Sequence, residues 1–255
     1  MKQLIKRLLA RIYLDEFVRN LLSDYRRTRY FAIWHIKRNR AKVDSNIIHN
    51  YFRDHEIKKL HIGCGHHILK DWLNSDYYPQ STEILHLDAT KPFPFKDGEF
   101  DYVFSEHMIE HIPYSDGLHM IAECFRVLKP NGKLRLATPN LSFLIALYQD
   151  DTKSDLQKDY IKWSTNQHIP SAPSYEATFV INNFMRDWEH KFIYDEKTLR
   201  YSLEKAGFTK IAKRQVNNSN DENLRNLENE GRMPTGFLEF ESIILEATCL
   251  PDGND

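Results

Sequence analysis

The stretch KKLHIGCGHHILKDWLNSD, Lys58–Asp76, decides the fold of this chain. Leu60, His61 and Ile62 form a short apolar run suited to a buried strand. The run breaks at Gly63-Cys64-Gly65, resumes at Trp72-Leu73-Asn74-Ser75, and ends on a carboxylate, Asp76. A strand, a tight glycine turn and a second strand ending in an acid form the pattern of an adenosine-binding α/β site. A glycine pair after a strand is also an ordinary turn, so the pattern takes its meaning from its flanks.

Towards the C-terminus, strands and helices alternate. Strands are expected at Lys59–Ile62, Trp72–Ser75, Glu83–Leu87, Phe100–Ser105 and Lys133–Ala137. Between the last two, Leu118, Ile121, Ala122, Phe125 and Leu128 recur at helical spacing, so Gly117–Leu128 reads as an amphipathic helix. It stops at Lys129-Pro130-Asn131-Gly132, a helix breaker joined to a turn. Such alternation implies a mostly parallel sheet covered by helices.

After Pro139 the pattern changes. Leu141–Tyr148 reads as a helix. Residues from about 150 to 190 are polar, aromatic and proline-bearing, and a segment of that length with short helices of its own is expected to be a lid over a site. Glu196–Ala206 reads as a helix capped by Gly207. Thr209–Val216 and Leu238–Thr248 are expected as an antiparallel edge pair, and residues 251–255 as a frayed tail.

Towards the N-terminus, Leu4, Ile5, Leu8, Leu9, Ile12, Phe17, Leu21 and Leu22 recur at helical spacing among cations. Up to Lys42, twelve basic residues (Lys2, Lys6, Arg7, Arg11, Arg19, Arg26, Arg27, Arg29, Lys37, Arg38, Arg40, Lys42) face only Asp15, Glu16 and Asp24. Residues 1–44 therefore read as a basic amphipathic segment. It is suited to packing on the main domain or a second subunit, to lying on an anionic membrane, or, least of all, to nucleic acid. Ser45 is placed to cap a helix running through Tyr51 and Phe52. Residues 45–250 form the expected main domain.

Composition narrows the class. The 255 residues are 41% hydrophobic and 28% charged with a net charge of -1, which is ordinary for a soluble globular protein and unlike an obvious nucleic-acid binder. Three cysteines, Cys64, Cys124 and Cys249, without a CxxC pair argue against a disulfide framework or a structural zinc site. No apolar run approaches the roughly 18 residues of a spanning helix, and no convincing signal peptide is present. A cytoplasmic location is expected, with peripheral contact at the inner face of the membrane as an extension.

Five pieces, LHIGCG, WLNSDYYP, LDATKPFPFKDGEFDYVFSEHMIEHI, ECFRVLKPNGKLRLATPN and YDEKTLRYSLEKAGF, stand in the order and spacing that resemble the class I S-adenosylmethionine-dependent methyltransferases, and most closely their "methyltransferase type 11" branch. The resemblance spans about Lys58 to Ala247. It implies a Rossmann-like α/β/α fold with a seven-stranded, mostly parallel sheet and an antiparallel edge hairpin, and it implies S-adenosyl-L-methionine as cofactor. Carried onto this chain, it puts Gly63, Cys64 and Gly65 against the methionine part. Asp76 is put on the ribose, Asp88 and Ala89 at the adenine, and Ser105, Glu106 and His107 beside the methionine portion. His67 stands where a third glycine can occur, so the loop departs from the fuller glycine pattern.

Methyl transfer from a sulfonium chiefly requires alignment, and a hydroxyl acceptor must also lose a proton, for which a near-neutral histidine is suited. His111 and His190 are the candidate bases, with His168 a third. No metal site is expected. The run His107-Met108-Ile109-Glu110-His111 is formally the inverted zinc-peptidase motif, but it directly follows an expected strand. A nicotinamide oxidoreductase lacks its full fingerprint here, since Ile68 lies three past Gly65. A non-catalytic scaffold keeping the fold is a further alternative. The expected acceptor is a small molecule or a glycan or glycolipid hydroxyl, as in surface-polysaccharide biosynthesis, with a quinone precursor next.

Overall fold

The structure is a computed structural model that describes residues 34, 36–39, 41–149 and 152–250. The expected N-terminal amphipathic helix and the frayed tail lie outside the described residues. The chain divides into two units, Met1–Asn50 and Tyr51–Asp255. In the first, Arg38 pairs with Asp44 at 2.7 Å. Helix α1 spans Val43–Asp54. It begins two residues before Ser45, so Ser45 sits in the first turn rather than at the cap.

The second unit is built on seven strands: β1 Lys59–Ile62, β2 Leu73–Asp76, β3 Leu85–His86, β4 Phe100–Glu106, β5 Leu128–Pro139, β6 Thr209–Arg214 and β7 Ser242–Thr248. Their order is β3-β2-β1-β4-β5-β7-β6. The first five run parallel, while β7 is antiparallel to both β5 and β6. Strand order reverses at β1, since the chain returns from the β3 edge to place β4 on the other side of β1, and open α/β sheets bind ligands outside the strand ends at such a point. Leu60, Leu85, Phe100, Val103 and Phe104 have no exposed surface, so the sheet is buried on both faces.

Helix α2 spans Tyr114–Val127 and α3 spans Leu141–Gln149. Helix α4, Asp155–His168, opens with a full capping box between Ser154 and Gln157. Helix α5 is Ala177–Arg186 and α6 is Glu196–Lys205. Gly207 follows α6 at φ +102, where a Cβ would meet the Phe125 ring at 2.9 Å, so the expected glycine cap is held by both conformation and packing. The segment expected as a lid holds α4 and α5. Their inner residues Tyr160, Ile161, Val180 and Phe184 share one apolar cluster with Phe143, Leu144 and Leu147 of α3.

Two expected boundaries are corrected. Leu238–Thr248 is not one strand: Phe237–Glu241 forms a short helix, α7, and β7 starts at Ser242. Phe237, Leu238 and Glu241 are all buried, a helical spacing that overrides the β-prone run behind it. The third strand shrinks to Leu85–His86, whose register on Ser75 and Asp76 covers two residues.

Candidate active site

The Gly63-Cys64-Gly65 turn is tied to β2 by its own backbone. The N–H groups of Gly63 and Cys64 both donate to the Ser75 carbonyl at 2.9 Å, and Ser75 Oγ returns a bond to the His61 carbonyl at 2.8 Å. Gly63 and Gly65 lie at φ +73 and +51. Asp76 finishes the clamp: one carboxylate oxygen accepts Gly65 N–H at 2.9 Å and the other accepts Tyr78 N–H at 2.7 Å. Asp88 accepts the Thr90 N–H at 3.0 Å and its hydroxyl at 2.7 Å. Gly63, Gly65, Asp76, Asp88, Ala89 and His107 line one cleft of about 550 Å³, together with Tyr77, Tyr78, Leu87 and Met108.

Three of the expected cofactor residues are not on that wall. Cys64 is buried, and burial pushes its thiol up to about 12, so it serves as a filler under the turn. Ser105 is an interior residue of β4 at 1% exposure. Glu106 points towards the loop between β6 and β7, where it accepts the Asn229 N–H at 3.2 and 3.1 Å and faces Arg232 at 3.7 Å. Successive strand residues point to opposite faces, so an extended β4 cannot send Ser105, Glu106 and His107 into one cavity. His67 turns back towards Glu106 Oε2, 3.6 Å away.

A second cavity, of about 300 Å³, opens beyond the first. Its walls are aromatic (Tyr160 and Trp163 of α4, Phe184 of α5, Trp188) and its polar groups are Glu110, His111, His168, His190, Arg232 and Glu241. Helix α4 and α7 are joined there by a hydrogen bond from the Tyr160 hydroxyl to Glu241. Burial raises Glu241 to about 7 and Glu110 to about 8. His107 and His111 line both cavities and form the wall between them.

The candidate bases His111 and His190 meet with ring centroids 4.9 Å apart. Burial holds both below the ordinary imidazole value, so both are neutral at pH 7. His190 Nδ1 bonds the Phe184 carbonyl at 2.8 Å, which leaves Nε2 as the lone-pair nitrogen. His168 stands across the same cavity, edge-on to Trp188 at 4.9 Å. The zinc-peptidase geometry does not form. It needs two histidines on one helix face, whereas His107 sits at φ +46 and only Ile109–His111 follow as a single 3-10 turn.

Arg232 and Glu241 carry no site signal in the sequence, whereas Glu110 stood inside the His107–His111 run and Tyr160 and Trp163 inside the aromatic segment expected as a lid. Arg232 and Glu241 arrive by packing from segments up to 131 residues further along than Glu110.

Comparison with known proteins agrees with the fold. Residues 67–136 match the family described as "Methyltransferase domain". A "Ubiquinone biosynthesis O-methyltransferase" of Coxiella burnetii is 35% identical over 82 residues, 32% of this chain and 31% of the relative. One of the same description from Xanthomonas oryzae is 40% identical over 74 residues, 29% and 27% of the two chains. The alignments thus span about a third of the length of the curated relatives. Among solved structures, a SAM dependent methyltransferase from Archaeoglobus fulgidus is similar at 17% identity and a TM-score of 0.46, covering 86% of this chain and 99% of that one. The strand order, the glycine turn and the acids at two successive strand ends thus stand beside a match to the methyltransferase domain over residues 67–136, and S-adenosylmethionine-dependent methyltransferases are the proteins this chain resembles.

Proposed function

We propose that this chain moves the methyl group of S-adenosylmethionine to a hydroxyl of a ring-bearing small molecule. One observation carries the reading: two cavities share a wall at His107 and His111, one lined by the glycine turn and two strand-end acids, the other by aromatic rings. The first fits the cofactor. Asp76 and Asp88 keep lone pairs for ribose and adenine, and the glycine backbone offers close approach. The acceptor oxygen would enter from the aromatic side and meet the methyl in line. The C–O bond forms as the C–S bond breaks, the electron pair stays on sulfur, and the hydroxyl proton leaves to a neutral imidazole of the His111–His190 pair.

A cavity of about 300 Å³ bounded by Trp163, Trp188, Tyr160 and Phe184 suits a single ring. Sugar faces pack on such rings, which supports a glycan or glycolipid hydroxyl. The relatives named for ubiquinone biosynthesis support a second reading, a phenolic hydroxyl. Incubation with methyl-labelled cofactor and two acceptor sets, saccharides and catechols, separates them. Label in neither set, with cofactor bound, would favour the non-catalytic scaffold. Binding of NAD in place of S-adenosylmethionine would overturn the proposal.

No helix among the described residues is long and apolar enough to cross a membrane. The basic residues before Asp44 support peripheral contact with an anionic leaflet at the cytoplasmic face. Flotation on phosphatidylglycerol liposomes with and without that segment tests it, and equal flotation would refute it.

A further inference from the structure

We infer that Glu110, His111 and His190 form a binding site for one divalent transition-metal ion on the floor of the aromatic cavity. A carboxylate oxygen of Glu110 and a ring nitrogen of each histidine all lie within 4.8 Å of one another. Two imidazoles and a carboxylate are a donor set suited to zinc or cobalt, with further coordination positions open to the cavity.

The site is built rather than incidental. Glu110 has no exposed surface, and its Oε2 accepts the Thr138 hydroxyl at 3.0 Å. Its Oε1 has no hydrogen-bond partner. The nearest ring nitrogen, His107 Nδ1, is 3.4 Å away, and the other nitrogen of that ring is already bonded to Ser242 Oγ at 2.9 Å. A buried carboxylate oxygen left without a donor is costly, and an ion would satisfy it. Arg232, the other cation at this cavity, is drawn off by Glu106 and Glu241 at 3.7 and 3.9 Å.

His190 is set as ligands usually are. It is held through Nδ1 by the Phe184 carbonyl at 2.8 Å, with the His111 ring edge-on to the His190 ring at 4.9 Å. Such a carbonyl partner orients a ligating imidazole and leaves its other nitrogen for the metal. The two segments are also stitched together: Lys191 and Phe192 N–H donate to the Glu110 carbonyl at 2.7 and 3.2 Å. Trp188 and Glu189, at φ +56 and +60, make the sharp reversal that brings His190 back to Glu110.

Resting on the methyl-transfer reading, an ion here would bind and acidify the acceptor's oxygen beside the wall shared with the cofactor cleft, so that with the ion in place the hydroxyl proton would leave to solvent rather than to His111 or His190, whose free nitrogens the ion takes. It would thereby select acceptors with a second oxygen donor, such as a vicinal diol. The test uses the untagged, chelator-treated full chain. Cobalt titration is followed by the visible ligand-field bands and zinc by calorimetry, with S-adenosylhomocysteine binding measured on the same samples. We expect one equivalent of each metal, an affinity loss of about tenfold or more in His190→Gln and in Glu110→Gln, and unchanged affinity in His168→Gln. His190→Gln is half-exposed and tolerant, which guards against misfolding of the buried variant. No stoichiometric metal, or full affinity in both ligand variants, would overturn the inference. Cofactor binding without metal would sink this site alone, whereas metal binding without cofactor would leave the site standing and sink the proposed function.

Discussion

Two alanine substitutions two residues apart should separate folding from ligand binding. At Gly63 an added Cβ would lie 2.7 Å from Met108 Cβ, and the backbone is left-handed at φ +73. The left-handed conformation costs an L-residue roughly 1–2 kcal/mol, and forcing aside a packed side chain adds about 1–3 kcal/mol. Gly63→Ala should therefore lose about 2–5 kcal/mol of stability. For a domain of this size that lowers Tm by on the order of 10 °C. At Gly65, φ is +51 and nothing lies within 4 Å of the added carbon. Only the conformational cost applies, so Gly65→Ala should fall by about 4 °C. Its methyl group would nevertheless project into the space the cofactor needs, at a cost of about 2 kcal/mol or roughly 30-fold in Kd. Thermal unfolding without ligand and calorimetric titration with S-adenosylhomocysteine read the two effects apart. Equal destabilisation by the two variants, or undiminished binding by Gly65→Ala, would refute the reasoning.

Three further outcomes follow from the same geometry. His61 is 1% exposed, bonds Asn74 Oδ1 at 3.0 Å, and is lowered by burial from 6.5 to about 4. Between those values the unfolded chain binds the extra proton, so stability is lost as pH falls from 6.5 towards 4, by about 3 kcal/mol at most. His61→Gln should flatten that limb in denaturant melts at pH 7 and pH 4.5, and an unchanged limb would count against it. Asp76→Asn should weaken S-adenosylhomocysteine binding by about 2 kcal/mol, roughly 30-fold, because a charge-assisted acceptor becomes a neutral one; binding within threefold of the parent would argue against the ribose role. Arg135→Met strands the buried carboxylate of Glu228 and takes one of two guanidinium partners from Glu246, which keeps Arg214 at 2.7 Å. It should cost about 3–5 kcal/mol, with partial recovery when both acids become glutamine, as read by urea unfolding.

What the residues disclose by themselves is local. That Asp76 and Asp88 reach one cleft follows from residues close in sequence, strand then turn then acid, and the turn's geometry follows from glycine alone. Ser105 and Glu106 lie off that cleft: β4 stays extended through Glu106, so the two point to opposite faces, Ser105 into the interior and Glu106 to the β6–β7 loop. The α7 boundary failed for the opposite reason: β propensity in Ile243–Leu245 is strong, but burial of Phe237, Leu238 and Glu241 pulls the preceding turn into a helix. The aromatic cavity was half legible: its rings come from the segment expected as a lid, but its far wall comes from the β6–β7 loop and α7. Arg232 and Glu241 mean nothing until α4, the β6–β7 loop and α7 pack together, since only tertiary contact makes them neighbours.

The buried guanidinium of Arg135 also bears on the order in which the molecule assembles. It sits on β5 yet is satisfied only by Glu246 of β7, by Glu228, and by the carbonyls of Gln215 and Asn218. Until the last strand docks, that charge has no partners inside the protein and must stay in water. The β6–β7 loop, which supplies Arg232 and Met233 to the aromatic cavity, is therefore locked at the moment of C-terminal closure. A growing chain would complete its glycine turn long before it could shape its aromatic cavity. Pulse-labelled hydrogen exchange during refolding should find amides of β1 and β4 protected ahead of those flanking Glu228.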